Sequence, residues 1–182
     1  MEYPDNRSER LTLTDEILFT EQQKFKQWWV MLILFGVNGL FFYGAWQQIM
    51  EGQRFGNRPM SNTGLLITMG LITLITVLVL SCRLDTIIRK DGIYVRFFPF
   101  HLKFKHYAWD RLLKAYVRKY SPIGEYGGWG IRFGLSGRGK AFNITGNKGL
   151  QLIFKTNKKL LIGTQKPDEM AEALIRLGAL KE

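Results

Sequence analysis

The chain has 182 residues and a formal net charge of +11, which is enough length for one domain with additional segments but not for two large domains. Residues 96–182 hold seventeen of the 26 basic side chains and six of the 15 acidic ones, so this part carries the whole net charge. The single cysteine, Cys82, excludes an internal disulfide framework. Any partner selected by electrostatics therefore meets the C-terminal half.

The first predicted element is an N-terminal cytoplasmic segment, residues 1–20, for which two roles stay open. Residues 10–13 alternate between polar and apolar, so the segment can add a strand to a sheet edge or bind a partner chain in that manner. The pattern Thr-Glu-Gln-Gln that starts at Thr20 has the form of a capping box. We therefore expect a helix that begins near Glu21 and runs to about Met50.

Two long apolar runs, residues 28–46 and 64–82, contain no charged side chain. Each is long enough to cross the roughly 30 Å hydrocarbon core of a bilayer as a helix. The rest of the chain is too short to cover two helices that are apolar on all sides. The sequence thus predicts a transmembrane helical hairpin over residues 21–82. The expected anchors at the membrane interface are tryptophans near the ends of the first run, namely Trp28, Trp29 and Trp46.

Basic residues set the expected orientation of this hairpin. Five flank the two runs on the side of the termini, whereas only two lie in the connecting loop, residues 51–62. By the positive-inside rule both termini are cytoplasmic. Asn38 and the threonines Thr68, Thr73 and Thr76 either hydrogen-bond between the spans or are tolerated singly. Because neither run contains an acid, a base or a histidine, we expect no transport pathway.

After Cys82 the pattern changes to short alternating runs divided by turns. The turn pairs Asp91-Gly92, Gly146-Asn147 and Asn157-Lys158 are typical of tight hairpins. One amphipathic helix is predicted to begin near Pro167. The predicted strands cover residues 84–89, 92–98, 101–107, 112–120, 129–135, 140–145, 149–155 and 159–163. The fold class expected for residues 83–182 is a small antiparallel β-barrel or sandwich capped by a C-terminal helix.

This order of strands followed by one helix is the plan of a pleckstrin-homology-like (PH-like) domain. The run Trp109-Asp110-Arg111 and the segments GGWGIRF, KAFNITG, GLQLIF and LLIGTQKPDEMAEAL resemble the PH-like domains that follow a two-helix membrane hairpin in small bacterial proteins of unknown function. The resemblance covers about residues 20–180 and rests on turns and core positions. It implies a PH-like domain in the cytoplasm at a bacterial inner membrane, and it supplies no activity.

One short motif suggests a nucleotide site. Residues 134–140, GLSGRGK, have the G-x-x-x-x-G-K spacing of a phosphate-binding loop. That loop needs a helix directly after it and a serine or threonine for magnesium, but residues 140–145 alternate as a strand and Ala141 takes the magnesium-ligand position. We therefore expect a hairpin turn at residues 136–139, and a nucleotide-binding enzyme is only a remote alternative.

No other pattern predicts catalysis, a metal or a cofactor. His101 and His106 are five residues apart in a predicted strand, so they point to opposite faces and cannot share an ion. No Ser–His–Asp or Cys–His arrangement stands out, and Cys82 is alone at the end of the second run. We therefore expect a protein that is not an enzyme and holds neither a metal nor a cofactor.

The basic residues of the C-terminal part are the remaining candidates. Each lysine or arginine close to an anionic leaflet gains about 1 kcal/mol, although the positive-inside rule explains the same charges without a ligand. For PH domains the resemblance implies a phosphoinositide pattern at Lys90 and Arg96, but Tyr94 breaks it. The candidate residues that face an anion or a lipid are Arg89, Lys90, Arg96, Lys103, Lys105, Arg138 and Lys140.

These observations leave two functions in different classes. The first is a non-catalytic, membrane-anchored scaffold or interaction module that recruits or regulates a protein partner, or a second copy of the chain, at the cytoplasmic face. The alternative is a sensor of anionic lipid head groups. Aromatic and basic residues interleave at 116–120 and 129–133, as on nucleic-acid-binding surfaces, but a small barrel needs these aromatics for its core. A nucleic-acid partner is therefore not expected.

Overall fold

The computed structural model describes residues 16–25, 27–134 and 137–178. Its contacts divide the chain into two compact units. The helical unit is Phe25–Cys82, and the β unit combines the residues up to Lys24 with those from Arg83 onward. The β unit is therefore built from two parts of the chain that the helical unit separates in sequence.

The helical unit contains two long helices, α1 (Trp28–Ile49) and α2 (Asn62–Ser81). Helix α2 begins at a capped end, because the Gly64 N–H donates to the Ser61 hydroxyl at 3.2 Å. Both helices are long and apolar enough to cross a membrane, and only 11% of each apolar window is buried. The coarse prediction of two candidate spans is confirmed, with bounds close to those expected.

Polar side chains join the two helices near their middle. The Asn38 amide donates to Thr76 Oγ1 at 2.7 Å and accepts from Thr73 Oγ1 at 3.1 Å. Thr68 instead donates within its own helix, to the Gly64 carbonyl. Of the two alternatives left by the sequence, the interhelical hydrogen bond therefore holds for Asn38, Thr73 and Thr76, whereas Thr68 is satisfied locally.

The described part of the β unit contains nine strands in two sheets, with neighbours in the orders β1-β2-β3-β4 and β5-β8-β9-β7-β6. All strand pairs are antiparallel except β7 and β9, which are parallel. The described strands form two sheets and do not close into a barrel. The strands are β1 (Ile17–Lys24), β2 (Arg83–Arg89), β3 (Gly92–Phe98), β4 (Lys105–Ala108), β5 (Leu112–Lys119), β6 (Gly130–Gly134), β7 (Gly139–Asn143), β8 (Lys148–Phe154) and β9 (Lys159–Thr164).

The predicted helix start at Glu21 is wrong, because Ile17–Lys24 forms strand β1. Its side chains alternate between buried and exposed, with Phe19, Glu21 and Gln23 buried. The Glu21 carboxylate accepts from the Thr164 hydroxyl at 2.6 Å. The capping-box pattern is a local signal, and pairing with distant residues overrides it here.

Strand β1 pairs antiparallel with β2, and this pairing places Lys24 opposite Arg83. The chain thus leaves the β unit for the helical unit, and returns from it, at neighbouring positions of one sheet. Of the two roles considered for the N-terminal segment, strand addition holds for residues 17–24. The predicted alternation at residues 10–13 lies outside the described residues.

Two further elements differ from the prediction. Only Lys105–Ala108 forms β4, so the expected strand at 101–107 is wrong over its first half, and His101 lies in the connection before β4. The turn-rich stretch after β5 contains a short helix, α3 (Pro122–Tyr126), whose N-cap is Ser121. The other strands lie where the turn residues predicted them, and Asn157 in the β8–β9 turn has a φ of 60°.

The interior of the β unit lies between its two sheets. Phe97 in β3 approaches Phe142 in β7 with 6.5 Å between ring centroids, and Tyr107 in β4 approaches Phe154 in β8 at 5.6 Å. The C-terminal helix α4 (Pro167–Arg176) begins where it was predicted. It contributes an apolar stripe to the interior, namely the buried residues Met170, Ala173 and Leu174.

Candidate ligand-binding groove

The two described flanks of the phosphate-loop motif form the facing ends of two paired strands. Strand β6 pairs antiparallel with β7, and Gly134 lies opposite Gly139. Gly139 has a φ of 82°, and any side chain there would collide with the carbonyl of Lys159. At Lys140 the chain continues as strand β7 and not as the helix that a phosphate loop requires. The hairpin prediction is confirmed at both flanks, while residues 135 and 136 lie outside the described residues.

A groove of about 630 Å³ opens beside this hairpin, a volume in the range of small-ligand sites. Tyr107 contributes to it from the first sheet, and the second sheet supplies the remaining apolar side chains, Phe133, Phe154 and Leu160. The basic side chains of the groove are Lys140, Lys158 and Lys159. The site therefore combines apolar walls with positive charge.

Two hairpins and one parallel strand pair position these side chains. Phe133 lies opposite Lys140 across β6 and β7, and the Lys140 ammonium is 5.1 Å from the Phe133 ring centroid. The parallel β7–β9 pairing places Lys140 beside Leu160. In the β8–β9 turn the Phe154 N–H donates to the Lys158 carbonyl at 2.9 Å. These contacts bring the ends of the two hairpins together around the groove.

The apolar walls are unequally exposed. The Phe133 side chain is 69% exposed, although large apolar side chains are usually buried in monomeric domains. Tyr107 is half-buried, and burial raises the pKa of its phenol, so the hydroxyl stays protonated near neutral pH. Leu160 is buried at the base of the groove. A ligand in the groove would thus meet apolar surface that the fold leaves uncovered.

A basic cluster of His101, Lys105 and Lys140 lies near one side of the groove. The Lys105 ammonium is 2.7 Å from Nε2 of His101. Both side chains contact Phe142, with its ring centroid 5.2 Å from that of His101 and 5.8 Å from the Lys105 ammonium. Lys140 lies two residues before Phe142 in β7 and therefore on the same face of the strand. The cluster is thus assembled from three separate elements.

Electrostatics in this cluster disfavour further positive charge. Burial lowers the pKa of His101, and the charges of Lys105 and Lys140 lower it further. Within the part of the chain that the structure describes, neither lysine forms an ion pair with a carboxylate, and the same holds for Lys158 and Lys159. Three lysines of the groove and the nearby Lys105 therefore have no carboxylate partner among the described residues.

Other predicted basic residues have internal partners. Lys90 forms an ion pair with Glu16 at 2.6 Å, and Arg96 forms one with the buried Asp85 at 2.7 Å. The two positions of the phosphoinositide pattern are thus both engaged by carboxylates of the chain itself. Arg138 donates to the Gly124 carbonyl at 3.3 Å.

The remaining predicted residues are spread over the chain. The Arg89 guanidinium lies 5.3 Å from the Tyr94 ring centroid, and Lys103 is exposed in the connection before β4. Of the seven candidate basic residues, Lys140 lines the groove, and Lys105 contacts Phe142, two residues after Lys140 in β7. Three exposed tryptophans, the expected interface anchors, lie in the first and last turns of α1, namely Trp28, Trp29 and Trp46.

The two histidines have separate surroundings. His106 stacks on Tyr94 with 4.4 Å between ring centroids and lies 3.4 Å from the Asp91 carboxylate, whereas His101 contacts Lys105 and Phe142. Across the described ranges, no group of three or more His, Cys, Asp and Glu side chains is placed to hold a metal ion.

The fold and the site define a two-sheet β unit with a basic groove, joined to a pair of long apolar helices. No known family model matches this sequence, and no curated protein matches it. The structure thus shows two long apolar helices and a sheet-rich unit that ends in α4, while the PH-like identity and the bacterial origin stay predictions.

Proposed function

We propose that the protein is a non-catalytic, membrane-anchored binding module that captures an anionic amphiphile, specifically an anionic lipid, in the groove. One observation carries this proposal: partly exposed apolar walls, with Phe133 the most exposed, lie beside lysines that have no carboxylate partner among the described residues. An uncompensated charge attracts an anion, and uncovered aromatic surface favours an apolar chain. A purely inorganic anion would leave the apolar part of the groove exposed to water.

Strand pairing supports the membrane arrangement within this proposal. Because Lys24 lies opposite Arg83, the chain enters and leaves the helical unit at neighbouring positions. If α1 and α2 both cross a bilayer, the β unit then lies on one side of it. We place that side in the cytoplasm, because the β unit carries the excess of basic residues. A bacterial inner membrane follows from the resemblance alone.

A protein partner is the second candidate, and the free edge of β6 favours it. Strand β6 is the last strand of its sheet and pairs only with β7 among the described strands. An extended segment of another protein, or of a second copy of this chain, can add to such an edge by main-chain hydrogen bonds. Phe133 would then contact the added strand.

The lipid proposal is tested on the full-length chain in nanodiscs of phosphatidylcholine. Dihexanoyl phosphatidylglycerol and dihexanoyl phosphatidylcholine are titrated separately, and binding is measured by calorimetry. We expect the anionic lipid to bind and the zwitterionic lipid not to bind. The double variant Lys158→Gln/Lys159→Gln should weaken binding about tenfold or more, since each lysine near an anion contributes about 1 kcal/mol.

The matched control is Lys148→Gln, which removes an exposed lysine at the other end of β8 and should leave binding unchanged. Equal binding of both lipids, or equal loss with the control, would reject the groove as an anionic-lipid site. The protein-partner candidate predicts a different result. A stoichiometric partner purified in mild detergent should be lost with Phe133→Glu and retained with Lys158→Gln/Lys159→Gln.

A further inference from the structure

The basic cluster at the side of the groove has the features of a site for one specific anion. His101 follows β3 and Lys105 begins β4, and both contact the ring of Phe142 in β7. Lys140 lies two residues before Phe142 in the same strand, and its charge acts on His101. The Phe142 ring packs against the His101 imidazole and lies within cation–π distance of the Lys105 ammonium. Their polar ends are thus positioned by packing and not by a carboxylate.

The contact between Lys105 and His101 defines the state of the imidazole. An ammonium can only donate hydrogen bonds, so the 2.7 Å contact requires Nε2 of His101 to accept, and the ring is then neutral. Protonation of Nε2 would remove this acceptor and place a third positive charge in the cluster. An anion that accepts from both lysines would offset this charge.

We propose that His101, Lys105 and Lys140 form a phosphate subsite at the side of the groove, which binds the head group of a phosphate-bearing amphiphile. This inference rests on the proposed function, because the groove then holds the apolar part of the same molecule. Two lysines and one imidazole match a dianionic phosphate better than a carboxylate, which carries a single charge. The second pKa of a phosphate monoester is about 6, in the range where histidine titrates.

Binding at this subsite is linked to protonation. The charged groups that act on His101 are Lys105 in β4 and Lys140 in β7; its ring contacts Phe142, and its backbone N–H donates to the Phe97 carbonyl at 2.7 Å. Both charges and the burial favour the neutral ring in the free protein. A bound phosphate dianion offsets the charges of the two lysines, so binding raises the pKa of His101. By reciprocity, protonation of the His101 ring strengthens phosphate binding.

The chain has two histidines, so His101 serves as the probe of the subsite and His106 as the internal reference. Full-length protein in phosphatidylcholine nanodiscs is labelled with ¹⁵N-histidine, and both rings are titrated with pH. The titration is repeated with dihexanoyl phosphatidate, inorganic phosphate and decanoate. We expect dihexanoyl phosphatidate to raise the pKa of His101. The ring signals of His106, which lies beside Asp91 and outside the cluster, serve as the reference that the ligand does not perturb.

Variants then test each member of the cluster. Lys105→Gln and Lys140→Gln should each weaken phosphatidate binding about fivefold, and Lys140→Arg should retain it, because the arginine keeps the charge. Both lysines are exposed, so the glutamine variants should fold. Lys148→Gln is the matched control. An unchanged His101 titration with both phosphate ligands, or a loss equal to that of the control, would overturn the subsite.

The ligands also separate this inference from the proposed function. Decanoate that binds in the groove while phosphatidate leaves His101 unchanged would overturn the phosphate subsite and leave the amphiphile function standing. Inorganic phosphate that shifts His101 as strongly as phosphatidate would support the subsite and show that the acyl chain adds nothing, which contradicts the groove function.

Discussion

Two sets of cations in the β unit differ in what balances their charge. Arg96 and Arg118 are half-buried, and each donates to a carboxylate of the chain, Asp85 and Glu125 respectively, at 2.7 Å. The lysines around the groove are exposed, and among the described residues they have no carboxylate partner. Paired cations contribute to the fold, whereas unpaired cations beside apolar surface are free to meet a ligand. Local compensation, and not net charge, thus distinguishes the two sets.

The largest expected effect comes from breaking a compensated pair. Asp85 is buried and accepts from Gln22 at 2.8 Å as well as from Arg96. Asp85→Ala leaves Arg96 without its carboxylate and should lower the free energy of unfolding by about 3 kcal/mol. Urea unfolding of the full-length protein, followed by circular dichroism of the strands, measures it. A loss under about 0.5 kcal/mol would show that compensation does not stabilise this sheet.

The Arg118–Glu125 pair should contribute less to the free energy of unfolding than the Asp85–Arg96 pair, and its contribution should depend on pH. Hydrogen bonds from Arg118 hold the pKa of Glu125 below its ordinary value. A carboxyl with a lowered folded-state pKa stabilises the protein above its unfolded-state pKa, and this contribution is lost as the pH falls through the folded-state value. Glu125→Gln should therefore cost about 1–2 kcal/mol at pH 7 and progressively less below about pH 4. A cost that is the same at both pH values would contradict the pairing.

In the helical unit, the hydrogen-bonded amide of Asn38 is the counterpart of these paired groups. Asn38 hydrogen-bonds to Thr73 and Thr76, so Asn38→Leu removes two interhelical contacts. Hydrogen bonds between membrane helices average about 0.6 kcal/mol, and the loss should be of that order. Thermal unfolding in detergent, with Thr68→Val as the control for a threonine satisfied within its own helix, measures it. Equal effects of the two variants would argue against the interhelical contact.

The smallest effect on stability is expected at the groove. Lys158→Gln and Lys159→Gln remove exposed charges without a carboxylate partner among the described residues, and the free energy of unfolding should change by less than about 0.5 kcal/mol. The unchanged fold is what allows these variants to report on binding alone. A clear destabilisation in urea unfolding would show that these lysines stabilise the fold as Arg96 and Arg118 do, and would contradict the difference between paired and unpaired cations.

The sequence predicts those elements whose signals are local. The apolar runs give both helices within a few residues, and the pairs Asp91-Gly92 and Asn157-Lys158 locate their hairpins because the turn residues themselves adopt the required backbone. Strand β1 is not predicted, because the only signals that the sequence offers there are local. Its partner β2 lies beyond the helical unit, so no local signal competes with the capping box at Thr20.

The groove is predictable only in part. The sequence names Lys105 and Lys140 among the basic candidates, but it does not predict that both act on His101, because this arrangement depends on contact between the two sheets. The parallel pairing of β7 with β9 assembles the groove from two hairpin ends. Strand β8 lies between β7 and β9 in the sequence, so no short-range pattern predicts that these two strands pair or in which register.

The groove is tested most directly by locating the bound lipid. Full-length protein in phosphatidylcholine nanodiscs is exposed to a photoactivatable phosphatidylglycerol or phosphatidylcholine with the reactive group on its acyl chain, and the cross-linked residues are mapped by mass spectrometry. We predict that the anionic probe marks the two hairpins at Phe133, Phe154 and their neighbours, and that the zwitterionic probe does not. Cross-links confined to α1 and α2 with both probes would contradict the groove as the binding site.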